Sequence, residues 1–109
     1  MRYDSITEAI GNTPLVRIDP GVHGLRNVDL FAKLEMLNPF GSVKDRPAWH
    51  MVRPLLEGAA GGGGGGSTVV ELSSGNTAKA LALLAGMHGL GFRSVTNRMR
   101  VPEVKELLL

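Results

Sequence analysis

Residues 68–96 constrain the architecture more than any other stretch. An apolar β-branched run at 68–72 is followed by a polar loop at 73–76, a helical stretch at 77–88 and a second strand-like run at 92–96. Two strands separated by a whole helix cannot close as a hairpin. They pair in parallel through a crossover, and that gives a βαβ unit. Gly89 and Gly91 sit where the crossover must turn back. The helix is apolar almost all round, with only Thr77, Lys79 and His88 polar, so it is expected to be buried on more than one side. The expected fold class is α/β, a three-layer αβα arrangement around a parallel βαβ core.

The preceding residues supply the remaining elements. Residues 5–10 read as one helical turn, with Ser5 and Glu8 in capping-box spacing. A turn at 11–14 leads into a short strand at 15–18, a loop at 19–27 that contains Pro20, Gly21 and Gly24, and a second strand at 28–36. These two strands are expected to pair antiparallel. After a break at 38–41 a helix runs to Leu56. Its start is set either by Ser42 with Asp45 or by Pro47, which prefers a first helical turn. Ala48, Met51, Val52, Leu55 and Leu56 share one face of that helix. The segment 58–66 ends in six consecutive glycines. Ordering each would cost about 1–2 kcal/mol, so a mobile surface loop is expected. From Pro102 an amphipathic helix begins, and it reaches Leu109 without a cap, which reads as a chain cut inside a helix.

Composition removes several function classes. With 12 Lys and Arg against 10 Asp and Glu, interspersed, the formal charge is +2, which argues against a nucleic-acid partner. The absence of cysteine rules out disulfides, thiolate metal sites and a cysteine nucleophile, and three scattered histidines make no metal set. The N-terminus lacks the apolar run of a signal peptide. The longest apolar stretch, around 80–87, is too short to span a bilayer. The expected location is the cytoplasm.

Two segments could carry chemistry. Lys44 follows a strand and a Gly-Ser pair and lies near a helix N-terminus, where the local field disfavours an extra positive charge and suits an amine that attacks carbonyls. A solvated loop lysine is the competing reading. The loop Ser73, Ser74, Gly75, Asn76, Thr77 joins a strand to a helix N-terminus, where free N–H groups, hydroxyls and an amide converge on a carboxylate or phosphate. An ordinary helix cap uses the same residue types. The glycine run precedes a strand and lacks a P-loop lysine, so it reads as a flexible loop. Arg93, Arg98 and Arg100 read as solvated surface, His88 as a helix-end cation, Trp49 as packing, and His23 and His50 have no evident partner.

Three segments, in this order and spacing, resemble a known family: Ile10-Gly-Asn-Thr-Pro-Leu-Val-Arg17, Lys33-Leu-Glu-Met-Leu-Asn-Pro-Phe-Gly-Ser-Val-Lys-Asp-Arg46 and Glu71-Leu-Ser-Ser-Gly-Asn-Thr77. They are similar to the N-terminal third of the cysteine synthase and cystathionine β-synthase family, pyridoxal phosphate (PLP) enzymes of the tryptophan-synthase-β-like fold. The resemblance implies that Lys44 forms the Schiff base with PLP and moves the α-proton. It implies that Asn76 bonds the cofactor's ring hydroxyl, and that Ser73, Ser74, Gly75 and Thr77 hold the substrate carboxylate. The implied reaction is β-replacement on an O-activated serine (O-acetylserine or O-phosphoserine) through an aminoacrylate, with PLP as electron sink. The implied domains are residues 1–40, whose strands join a large domain, and residues 41–109, an incomplete small βαβ domain. The implied partner is a small amino acid, with a homodimer in a full-length form.

The sequence departs from the family at Ser73, where many relatives carry Thr, at Lys79, where a small or apolar residue is expected, and in the glycine run. The family's glycine- and threonine-rich phosphate cup and its later Ser or Thr at the pyridine nitrogen do not occur in the 109 residues. The expectation is therefore a chain with little or no turnover. An inactive fragment that only binds or docks, and a simple anion-binding module built on the 73–77 loop, are the competing readings.

Overall fold

The computed structural model describes residues 1–58, 66–73 and 75–96. Most of the glycine run, Ser74, Arg98, Arg100 and the helix expected from Pro102 lie outside the described residues.

Strand β1 (Leu15–Ile18) pairs antiparallel with β2 (Leu30–Lys33), with Leu15 opposite Lys33 and Ile18 opposite Leu30. The connection contains a single helical turn, α1 (Pro20–His23), where a loop was expected. Asp19 caps it by accepting from the Gly21 N–H, and Gly24 ends it. Ahead of β1, Ile6–Ala9 form a 3-10 turn. Its tighter winding shifts the expected capping box by one residue at each contact: Ser5 Oγ accepts from Thr7 N at 3.3 Å, and the Glu8 carboxylate accepts from Asp4 N at 3.1 Å. Strand β2 is shorter than the alternation suggests, because Glu35–Leu37 wind into a second 3-10 turn.

Helix α2 (Asp45–Gly58) starts between the two expected positions. Ser42 Oγ accepts from Lys44 N at 3.1 Å, and the Ser42 carbonyl accepts from Asp45 N at 3.3 Å. Pro47 falls inside the first turn, where a missing N–H leaves no helical bond unmade.

Strands β3 (Thr68–Glu71) and β4 (Gly91–Ser94) pair in parallel, with Thr68 opposite Gly91 and Glu71 opposite Ser94, and helix α3 (Asn76–Met87) crosses between them. The crossover turns through a Schellman end: Leu90 N donates to Ala85 O at 2.8 Å and Gly89 N to Gly86 O at 3.4 Å. Gly89 adopts φ +69°, a conformation a side chain would strain.

The core lies where α2 packs on α3. Ala48 and Val52 meet Ala80, Leu81 and Leu84, with Phe40 closing one end. Each of the larger aliphatic side chains contributes roughly 1.5–3 kcal/mol through burial. Trp49 stacks on His88 with ring centroids 6.0 Å apart. Helix α2 presents a wider apolar face than α3 covers, so Met51 and Leu55, which share that face, remain 44% and 53% exposed. The two-stranded sheets stay separate. Among the described residues no helix is long and apolar enough to cross a membrane.

Candidate active site

Two turns build the site. The first spans Asn38 to Asp45 and is held by a polar clasp between the first two sequence motifs. Arg46 donates from Nε to Glu35 Oε2 at 2.8 Å and from Nη2 to Glu35 Oε1 at 2.9 Å, a bidentate pair. The same Nη2 reaches the Gly11 carbonyl at 2.9 Å. Thr13 Oγ1 donates to Glu35 Oε1 at 2.8 Å. Asn38 Nδ2 donates to Glu35 Oε2 at 2.8 Å, while its Oδ1 accepts from Gly11 N, also at 2.8 Å. Lys33 Nζ adds a bond to the Thr13 carbonyl. The Arg46 hydrogen bonds, joined by those of Thr13 and Asn38, hold the Glu35 carboxyl down at about 2. Gly11 has φ +84°, and a Cβ there would stand 2.7 Å from Arg46 Nη1, so the clasp needs glycine at that position.

Beyond the clasp the chain turns through Pro39–Val43 into Lys44. Lys44 is exposed, and its backbone is fixed at both ends: its N–H by Ser42 Oγ and its carbonyl by Ala48 N at 3.0 Å. The next residue, Asp45, is fully buried. Its Oδ2 accepts from Phe40 N at 2.6 Å, which closes the turn, while its Oδ1 has no hydrogen-bond partner. Burial pushes the Asp45 carboxyl up. The Phe40 N–H and the charge of Lys79 pull it back in part.

The second turn lies at the C-terminal end of β3, where parallel α/β sheets bind their ligands. Ser94 Oγ donates to the Ser73 carbonyl and Val95 N to Glu71 O at 2.8 Å, anchoring the loop on β4. Helix α3 begins at Asn76, one residue earlier than expected, with Gly75 at the N-cap and no side-chain capping bond. The first helical bond is Lys79 N to Gly75 O at 3.1 Å, so the N–H groups of Asn76, Thr77 and Ala78 precede it and have no capping side chain. Among the described residues no side chain caps this end. Asn76 is exposed, while Ser73, Gly75 and Thr77 are half-buried. The two turns approach through Lys79, whose Nζ lies 3.8 Å from where a Gly41 Cβ would stand.

This donor set suits PLP and an amino-acid substrate in kind: an exposed primary amine for an aldehyde, an exposed amide, and uncapped helix N–H groups for an anion. A groove of about 580 Å³ between Pro54, Leu55, Thr68, Val70 and Leu90 lies at the opposite end of β3 and holds none of these groups. Among the described residues no cluster could hold a metal ion. Gly11, Thr13, Glu35, Asn38 and Arg46 lie inside the sequence motifs, but their mutual role was not apparent from sequence. Their charge pairing inside consecutive motifs was the available signal.

The model of the family described as "Pyridoxal-phosphate dependent enzyme" matches residues 6–109. The chain is 52% identical over 98 residues to N-(2-amino-2-carboxyethyl)-L-glutamate synthase of Cupriavidus metallidurans, covering 89% of this chain and 28% of that protein. It is 44% identical over 90 residues to cysteine synthase B of Pseudomonas aeruginosa, covering 82% of this chain and 29% of that one. The crystal structure of O-acetylserine dependent cystathionine β-synthase from Helicobacter pylori superimposes with a TM-score of 0.81 at 31% identity, over 99% of this chain and 35% of that chain. The chain thus spans about three tenths of the length of these curated relatives. A match over all but the first five residues, carried on a shared α/β scaffold, makes the chain a member of the PLP-dependent enzyme family, on the cysteine synthase and cystathionine β-synthase side.

Proposed function

We propose that the chain carries the lysine and the carboxylate cradle of a PLP-dependent β-replacement enzyme of the cysteine synthase type. In this reading the substrate is an O-activated serine, either O-acetylserine or O-phosphoserine. The observation that carries it is the uncapped N-terminus of α3 directly after β3, joined through Lys79 to the turn that presents exposed Lys44. PLP, when bound, supplies an electron sink for charge that develops at the substrate's α-carbon. Lys44 Nζ is the atom that attaches the cofactor and carries the α-proton. Asn76 donates its amide to the cofactor's ring hydroxyl. Ser73, Ser74, Gly75 and Thr77, with the first-turn N–H groups of α3, orient the amino-acid carboxylate. The nucleophile is of the sulfide or amine class. The Cupriavidus relative's name describes a three-carbon amino-acid unit on a glutamate nitrogen, a product that β-replacement by an amine would give. In the same reading residues 1–40 belong to a large domain and 41–109 to a small one, the location is cytoplasmic and the full-length form is a homodimer.

The test is to mix the chain with PLP, reduce with borohydride and map the labelled peptide. Selective labelling of Lys44, abolished in Lys44→Ala, supports the reading. Labelling spread over the four lysines overturns it. A second reading, a fragment that binds without turning over, is favoured by exposed Leu15, Val16 and Phe31 on the first sheet. Cysteine formation from O-acetylserine and sulfide that depends on Lys44 would exclude it.

A further inference from the structure

Asp45 stands out once Lys44 is placed. It is the residue after the lysine, it is fully buried, and one of its oxygens has no hydrogen-bond partner. Removing a carboxylate from water without a compensating charge is unfavourable, so a buried one requires a cation or several donors. The hydrogen-bond donor to Asp45 is a backbone group of its own turn, the Phe40 N–H at 2.6 Å. The cation acting on it comes from elsewhere in the fold. Lys79, in the first turn of α3, arches over Gly41 with its Nζ 3.8 Å from the position a Cβ would take there. Among the described residues the Lys79 side chain makes no hydrogen bond and no close ion pair.

We propose that Lys79 is a positioning residue: reaching across Gly41 from the cradle helix, it supplies the counter-charge to the buried Asp45 carboxylate and so ties the turn that presents Lys44 to the helix that follows Ser73–Thr77. The attraction acts through space, with no hydrogen bond between the two groups. One charge pair thereby fixes the relative placement of the two segments on which the proposed function rests. Gly41, at φ +93°, holds the turn in a conformation that favours glycine. The consequence for Lys44 rests on the proposed function, whereas the charge pair itself does not.

The experiment compares the chain with Lys79→Met and Lys79→Arg by three readouts: NMR titration of the Asp45 carboxyl, hydrogen exchange of the Phe40 amide, and the rate of borohydride-trapped PLP capture on Lys44. With Met the Asp45 carboxyl should titrate higher and the Phe40 amide should exchange faster. The factor is roughly 5-fold, the size expected for loss of one through-space charge attraction near a protein surface. Capture on Lys44 should slow to a similar degree, and Arg should restore all three. In an Asp45→Asn background there is no charge left to hold, so Lys79→Met should change Phe40 exchange no further. Unchanged Asp45 titration and Phe40 exchange in Lys79→Met overturn the proposal. So does an equally large effect in the Asp45→Asn background, or capture of PLP on Lys79 itself. If the parent chain captures nothing on Lys44 while Lys79→Met still loosens the Phe40 amide, the charge pair stands and the functional reading falls.

Discussion

Gly11→Ala isolates the clasp that underlies the Lys44 turn. Three contributions set the size of the effect. Holding a residue with a Cβ at φ +84° costs about 1–2 kcal/mol. Stiffening the unfolded chain returns about 0.4–1 kcal/mol. The new methyl carbon would stand 2.7 Å from Arg46 Nη1 and 3.3 Å from its Cζ. The guanidinium is pinned by two bonds to Glu35 and one to the Gly11 carbonyl, so it cannot swing aside without giving up partners. Forcing a methyl into occupied space adds ~1 kcal/mol or more. The net is a destabilisation of roughly 2 kcal/mol, or about 10 °C in Tm for a chain of this size. Thermal unfolding followed by circular dichroism reads it directly. The decisive comparison is the same substitution in an Arg46→Gln background. There the clash is relieved and only the backbone strain remains, so the cost should fall to about 0.5–1.5 kcal/mol. An unchanged Tm, or an identical cost in both backgrounds, would refute the reasoning.

Two further expectations concern stability. Glu35 titrates at about 2 against an ordinary 4.5, so its contribution is complete above pH 4.5 and is lost as pH falls toward 2. Acid unfolding should therefore steepen across that window, and Arg46→Gln should flatten it. Asp45 carries the opposite sign, since burial raises its carboxyl: its unfavourable contribution at neutral pH is relieved on acidification. Asp45→Asn should accordingly deepen the acid loss that Glu35 produces, which a pH series of urea midpoints would show. Leu84→Ala, at a site with no exposure between α2 and α3, should cost about 2–5 kcal/mol and show as a lower urea midpoint at unchanged slope.

The parts of the fold legible in the sequence are those governed by local rules. The apolar run at 68–72, the apolar helix and Gly89 dictate a parallel βαβ unit, and strands β3 and β4 pair in parallel. The antiparallel pairing of β1 and β2 followed from two short strands around a glycine-containing loop. Contacts distant in sequence stayed hidden. Arg46 reaches Gly11 across 35 positions and pairs with Glu35, which lies in a 3-10 turn where alternation suggested strand. The start of α2 was ambiguous because Ser42 and Pro47 both signal one. Both are accommodated, since the Asp45 carboxylate turns back to Phe40 instead of extending the helix. The exposure of Met51 and Leu55 depends on how much of α2 a neighbour covers, which periodicity cannot reveal. At the site, the strand-to-helix position of the Ser73–Thr77 loop was legible. The absence of a side-chain cap was not, because Ser, Asn and Thr suit both alternatives.

The motifs that carry the family resemblance divide into two kinds of residue. Gly11, Thr13, Glu35, Asn38 and Arg46 are occupied with one another. Most of their side-chain donors and acceptors close a clasp within the fold. Lys44 and Asn76 are exposed, and among the described residues their side chains are bound to nothing. A hydrogen-bonding group satisfied within the fold gains little from a ligand, whereas one held at a fixed place without a partner gains the full interaction. Much of the sequence similarity therefore testifies to a scaffold. In the proposed function the chemistry falls to the few positions that the scaffold leaves unsatisfied. Lys79 belongs to neither kind: it departs from the family pattern, yet it is the residue that brings a charge from one turn of the site to the other. Substitutions in the clasp should change whether the Lys44 turn forms. Substitutions at Lys44 and Asn76 should change what it binds and leave the fold in place.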